Sequence, residues 1–255
     1  GTLRFAGFVP PYEATLTRHL REAGAIVIAK TVMTEMAHWM VLTMPNNYSS
    51  LGGYAFNPYD PRRDPRPGLD DGRPVLATGS SSSGAGTAAS LWAANVGTET
   101  TVSIIGPASA AMLAAIKPTV GRISRHGIVP VSLDQDSAGP MTRSVADAAL
   151  LLGVLEGGTP DPLDPASGRC PRPPDNDYTR FLDAGALKGA LLFGFGGELK
   201  RLQESFLVIV QAFGQGTLGF DLERVLCHHF SGIFLEHAEQ CHGQHLIQRL
   251  FEHGF

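Results

Sequence analysis

The sequence predicts an α/β fold, and three observations carry that reading. Residues 12–23 (YEATLTRHLREA) place Ala14, Leu16 and Leu20 at partly helical spacing among charged residues, and Gly24 follows as a C-terminal stop. The next six residues, Ala25 to Lys30 (AIVIAK), form a short β-branched run of the kind that makes a buried strand. A helix feeding an apolar strand is half of a βαβ unit. The third observation is compositional: 30 glycines and 18 prolines in 255 residues exceed the usual ~12%. That excess suits a loop-rich enzyme scaffold better than a helical bundle. The length allows one large domain or two small ones with a real core.

Composition also excludes several partners. A formal net charge of −4 leaves no basic stripe for nucleic acid. No apolar run approaches the ~20 residues of a membrane helix, and the N-terminus does not read as a signal peptide. Three cysteines make no disulfide framework, which points to a reducing, cytoplasmic setting. Oligomeric state is left open.

Further along the chain, residues 45–79 form a long irregular stretch rich in Asn, Pro, Asp, Gly and Arg, a length of loop that is often functional. Residues 84–95 (GAGTAASLWAAN) read as a small-residue helix packed closely on its neighbours. Residues 144–155 (SVADAALLLGVL) read as a helix with Ser144 as N-cap and Asp147 at the third helical position. A Pro/Asp/Gly connector spans 157–176, and residues 198–213 read as a further amphipathic helix. Composition then shifts: six of the nine histidines and two of the three cysteines lie after residue 190, and no proline follows Pro174.

The string TGSSSSGAG (78–86) sets four serines between glycines at the mouth of a small-residue segment. Alone it fits a linker, an anion-binding turn or a catalytic serine site. It is no Walker-type phosphate loop, because no Gly-Lys-Ser/Thr closes it. Then come GTETTVSI (97–104), IKPTVGRISRHGIVP (116–130) and DQDSAGPMTRSVADAA (134–149).

Taken in this order, these strings resemble the amidase signature family of serine hydrolases, over residues 1–189. The resemblance is nearer to amidases carrying GTET-x-x-SI and SQD-x-AGPM strings than to the amidotransferases that act on glutamyl-tRNA. It implies a mixed β-sheet wrapped by helices, incomplete at both ends, and hydrolysis of a small carboxamide through a serine acyl-enzyme without a cofactor. It also implies a catalytic set. Ser103 is the nucleophile and Ser82, with Ser81 as competitor, is the bridging serine of a cis peptide. The oxyanion is held by the backbone of Thr100, Thr101, Val102 and Ser103. Asp134, Gln135 and Asp136 would orient loops or bond the serine network beside that site.

Four departures from the family accompany it. The family's catalytic lysine precedes the segment resembling Phe5–Pro11, so the chain is expected to begin after it; Lys30 matches a strand-end lysine instead. Val102 stands where the family places glycine, and its β-branched side chain is expected to crowd the turn or tilt a donor N–H. The helix between Ser82 and Gly97 is about one turn short, which would shift the two strings by about 5 Å. The match also stops near Leu187–Gly189, as a fusion or frame change would produce. The expected organisation is therefore a partial amidase signature domain over 1–190 and a divergent Cys/His-rich tail over 191–255. Two alternatives follow: a catalytically inactive or truncated fragment lacking the lysine, and a metal-binding module in the tail. Cys227, His228, His229, His237, Cys241, His242 and His245 invite that second reading, yet match no standard zinc spacing, and no metal site is assigned. Arg122 and Arg125 are expected to be solvated or paired, and Trp39 and Trp92 to pack.

Overall fold

In a computed structural model, residues 1–39 and 44–184 are described. Four α-helices and five strands follow one another among them, besides short 3-10 turns: α1 Thr15–Glu22, β1 Tyr48–Ser49, β2 Gly53–Tyr54, α2 Gly84–Ala88, β3 Ala94–Glu99, α3 Ile105–Ala110, β4 Ala114–Ala115, β5 Ser137–Thr142 and α4 Val145–Glu156. β1 and β2 make a small hairpin; the main sheet has the order β3-β5-β4. The fold is α/β, and every pairing in the described part of the sheet is antiparallel.

β5 is buried along its whole length and pairs with β3 in register, Gly97 opposite Gly139 and Glu99 opposite Ser137. One core lies where α1 and α4 cover the sheet, around Leu16, Ile123, Ala138, Leu152 and Leu155. A second, around Ile104, Ala108, Ala111, Leu113 and Met141, packs α3 against the sheet. Gly139 has no room for a side chain, since a Cβ there would stand 2.0 Å from the Ile116 carbonyl oxygen.

The helix expected over 144–155 formed as α4, Val145–Glu156. Ser144 caps α4 by accepting the Asp147 N–H at 3.1 Å, and its hydroxyl donates to the Asp147 carboxylate at 2.7 Å. The helix at 84–95 is a correction. α2 ends at Ala88, and residues from Ala94 onward belong to β3. Its end is a Schellman closure: Leu91 N–H bonds to Gly86 O, Ser90 N–H to Thr87 O, and Ser90 takes φ 59°. α3 closes identically, with Leu113 N–H on Ala108 O, Met112 N–H on Ser109 O and Met112 at φ 53°. α1 closes the same way on Gly24, the residue read as its stop. A non-glycine residue in the left-handed region costs roughly 1–2 kcal/mol. Met112 is three-quarters exposed, so Met112→Gly is expected to raise stability by about 0.5–1 kcal/mol in urea melts, after allowing for glycine's extra unfolded-state entropy.

The buried strand expected at Ala25–Lys30 is a second correction. The run joins no sheet among the described residues, and Ile26 is 86% exposed. β-branched residues favour an extended backbone, whereas a strand also needs a neighbouring ladder, and β3, β5 and β4 offer none here. The expected helix at 198–213 lies outside the described residues.

Candidate active site

The serine-rich turn and the end of β3 meet through a small set of bonds. Among the described residues, β3 has a strand on one edge only. Ser81 supplies further partners to Thr98: its Oγ donates to Thr98 O at 3.2 Å and accepts from Thr98 N–H at 3.3 Å. The Ser81 N–H donates to Ser103 O at 3.2 Å, which sets the serine turn directly beside the residue read as nucleophile. Two glycines permit this approach. A Cβ on Gly97 would meet Ser81 Oγ at 2.9 Å, and one on Gly79, at φ +74°, would meet Pro107 of α3 at 2.7 Å. From the other side, Thr34 N–H bonds Ser80 O, and the fully buried Thr34 hydroxyl accepts from Asn47 N–H at 2.7 Å.

The two candidate bridging serines differ in what their hydroxyls already do. Ser81 Oγ both donates to and accepts from Thr98. Ser82 Oγ donates to Gly79 O at 3.1 Å, within 3.5 Å of Ser80 O, and accepts nothing from the described residues. The cis bond expected at Ser82 is absent: no peptide bond among the described residues is cis, and a Ser82 N–H to Ser80 O bond closes the local turn. The short helix does not pull the strings apart. Asn95 Nδ2 donates to Ser83 Oγ at 2.7 Å, the Thr87 hydroxyl donates to Asn95 Oδ1 and Trp92 Nε1 donates to Thr87 Oγ1, locking α2 onto the start of β3.

Thr100 to Ser103 form the turn between β3 and α3. The N–H groups of Thr101, Val102 and Ser103 bond no acceptor among the described residues, and the Ser103 hydroxyl makes one long bond, to Thr101 O at 3.4 Å. Val102 has φ 61° and is 61% exposed. The valine therefore neither crowds the interior nor moves the backbone away from a glycine-like conformation; its departure from the family appears as strain. Thr100 is held by Asp136, whose Oδ1 accepts its hydroxyl at 2.5 Å while Oδ2 accepts the Val131 and Ser132 N–H groups at 2.8 and 2.9 Å. Of the three residues at 134–136, Asp136 reaches the turn; Gln135 gives its carbonyl to Lys117 Nζ at 3.3 Å. The sequence reading passed over Glu99. Its Oε2 accepts Ile104 N–H at 2.5 Å and Ile105 N–H at 3.0 Å. Glu99 stands in the GTET string, but a carboxylate five residues before the helix cap falls outside the three-residue capping-box pattern, so its bracing role carries no local signal.

Other residues have structural partners. Arg122 pairs with Glu156 and Arg125 with Asp164, as expected of them. Lys30 is exposed. Trp92 packs against Gly86, whereas Trp39 is 63% exposed, a correction to its expected packing. Among the described residues, no three His, Cys, Asp or Glu side chains converge as a metal site, and the tail histidines and cysteines lie outside them.

A family profile described as Amidase matches residues 1–193. The chain belongs to the amidase family. An Arabidopsis thaliana protein named "Probable amidase" is 38% identical over 197 residues, covering 75% of this chain and 35% of that protein. A glutamyl-tRNA(Gln) amidotransferase component from Cereibacter sphaeroides is 42% identical over 167 residues, 66% of this chain and 31% of its own length. Thus both kinds of relative match at similar identity, and the chain spans about a third of the length of these curated relatives. Among solved structures, the native peptide amidase of Stenotrophomonas maltophilia superposes with a TM-score of 0.65 at 36% identity, covering 83% of this chain and 42% of that one. An amidase family protein from Bacillus anthracis gives 0.64 at 34% identity, over 80% and 40%. No helix among the described residues is long and apolar enough to cross a membrane.

Proposed function

We propose that this chain carries the acyl-transfer site of an amidase, acting on a small carboxamide in the cytoplasm. The observation that carries the reading is the 100–103 turn: a half-exposed serine hydroxyl, and amide N–H groups with no acceptor among the described residues, held against a second serine-bearing turn. Ser103 Oγ attacks the carboxamide carbon, and the N–H groups of the turn receive the negative charge on the carbonyl oxygen. The C–N bond breaks, the nitrogen leaves as ammonia or an amine carrying the proton released by Ser103, and water hydrolyses the acyl-serine. Ser82 suits the relay, because its oxygen accepts nothing from the described residues and can take the Ser103 proton while its own O–H passes one to the leaving nitrogen. Ser81 is committed to Thr98 and serves as the brace. The chemistry calls for no cofactor.

A second reading, a family member that does not turn over, also has specific support. Val102 is strained at the oxyanion turn, and no basic side chain among the described residues bonds the Ser103 or Ser82 hydroxyl. One experiment separates the two. The chain is treated with a fluorophosphonate probe beside a Ser103→Ala control, and amide turnover is followed by ammonia release. A Ser103-dependent adduct with turnover above the control is the expected result. An adduct without turnover supports the second reading, and the absence of any Ser103-dependent adduct defeats the first.

A further inference from the structure

We infer that Glu99 is a positioning residue for Ser103, a strut whose length fixes the nucleophile turn; this rests on the reading of Ser103 as the acyl acceptor. Glu99 ends β3 and is 5% exposed, and its side chain runs alongside the turn rather than out to solvent. One carboxylate oxygen takes both the Ile104 and Ile105 N–H groups, at 2.5 and 3.0 Å. These belong to the first turn of α3, where helix geometry provides no carbonyl partners. Ser103 immediately precedes Ile104, which is fully buried in the core under α3.

The consequence is a closed ring. Backbone leads from Glu99 through Thr100, Thr101, Val102 and Ser103 to Ile104, and the Glu99 side chain returns from Ile104 to the strand end. The gap the four turn residues must bridge is thereby set by one rigid β3 residue and one rigid α3 residue. Asp136 pins Thr100 independently at the near side. With both ends fixed, Val102 between them stands at φ 61°, in the left-handed region. The same bonds occupy the helix amides that would otherwise compete with Thr101, Val102 and Ser103 for an anion at the turn. Glu99 itself lies under the turn with its acceptor oxygen engaged, so it acts through Ser103 and is not a proton carrier.

Reach and charge make different predictions, and three variants of the full chain separate them. Glu99→Gln keeps an acceptor oxygen at the same distance without the charge. Glu99→Asp keeps the charge but withdraws the oxygen by one methylene. Glu99→Ala removes both. Second-order rates of fluorophosphonate labelling at Ser103 are expected to fall about 100-fold in the Asp and Ala variants, the cost of a displacement near 1 Å. Glu99→Gln should stay within about 3-fold of the parent, and amide exchange at Ile104 and Ile105 should lose protection in the Asp and Ala variants and keep it in the Gln variant. Unchanged labelling in Glu99→Asp, or equal losses in the Asp and Gln variants, overturns the inference; the Asp–Gln comparison decides even if Glu99→Ala does not fold. A parent chain that takes no label defeats the acyl-enzyme reading instead. The exchange data then decide the strut alone: protection lost in Asp and kept in Gln supports it, and equal protection rejects it.

Discussion

Replacing Arg122 with methionine is expected to cost about 3–5 kcal/mol of stability at pH 7.5, the largest loss among single substitutions away from the serine turns. Arg122 and Glu156 are 7% and 1% exposed and meet at 2.9 Å. Arg122 also donates to the Tyr178 hydroxyl, which in turn donates to Glu156 at 2.5 Å, and Arg172 stands 3.8 Å from the same carboxylate. Burial pushes Glu156 above its ordinary range even with these partners, although each of them favours its charged form. Removing Arg122 leaves a carboxylate buried at the C-terminal end of α4, where the helix dipole also opposes it. The sign follows from the raised value. A carboxylate whose folded pKa lies above its unfolded one costs stability as pH rises through the folded value, and Arg122→Met raises that value further. The deficit of the variant should therefore be greatest above neutrality and shrink as pH falls toward Glu156's unfolded value of 4.5. Urea melts at pH 5 and pH 8 measure this. The double variant Arg122→Met, Glu156→Leu should regain most of the loss. A single-variant loss below about 1 kcal/mol, or one equal at both pH values, would show that the pair is not acting as a buried charge network.

That network illustrates what the sequence does and does not disclose. Arg122 and Arg125 were legible only as paired or solvated, because their partners Glu156 and Asp164 lie 34 and 39 residues away and no local pattern links them. Two helix ends set by neighbours in the chain were legible, although the helix expected over 84–95 ends at Ala88. Gly24 and the Ser144–Asp147 cap end and begin helices through contacts within five residues. The Ala25–Lys30 run shows the opposite case: its residues favour extension, yet burial depends on a strand elsewhere. The serine and GTET strings were found because glycine and serine are unusual at that density. Ser81 and Glu99 acquire their roles from tertiary contacts, to Thr98 and to the first turn of α3. The competition between Ser81 and Ser82 could be weighed only when each hydroxyl's partners were known.

Val102→Gly is expected to raise the rate of fluorophosphonate labelling at Ser103 by about 10-fold, within the range spanned by a single oxyanion donor. Val102 sits between Thr101 and Ser103 at φ 61°, a conformation that costs a β-branched residue roughly 1–2 kcal/mol and that glycine adopts freely. Its side chain is mostly exposed, but one methyl comes close enough that a Cβ on Gly106 would meet it at 3.0 Å. The turn is thus held between Glu99 and Asp136 in a shape its central residue disfavours. Part of the time it should relax toward ordinary φ, reorienting the Val102 and Ser103 N–H groups. Glycine removes that tendency. Stability should rise by about 0.5–1 kcal/mol, since glycine's gain in unfolded-state entropy offsets part of the relieved strain. Val102→Ala separates backbone from bulk: it removes the branch but keeps a Cβ at positive φ. If strain governs the turn, alanine falls between valine and glycine in both labelling rate and urea midpoint. If alanine equals glycine in labelling while stability still differs, side-chain bulk over the serine is the obstacle. Equal labelling in all three would mean that the brace from Glu99 and Asp136 already holds the donors in line, with Val102 affecting only the fold.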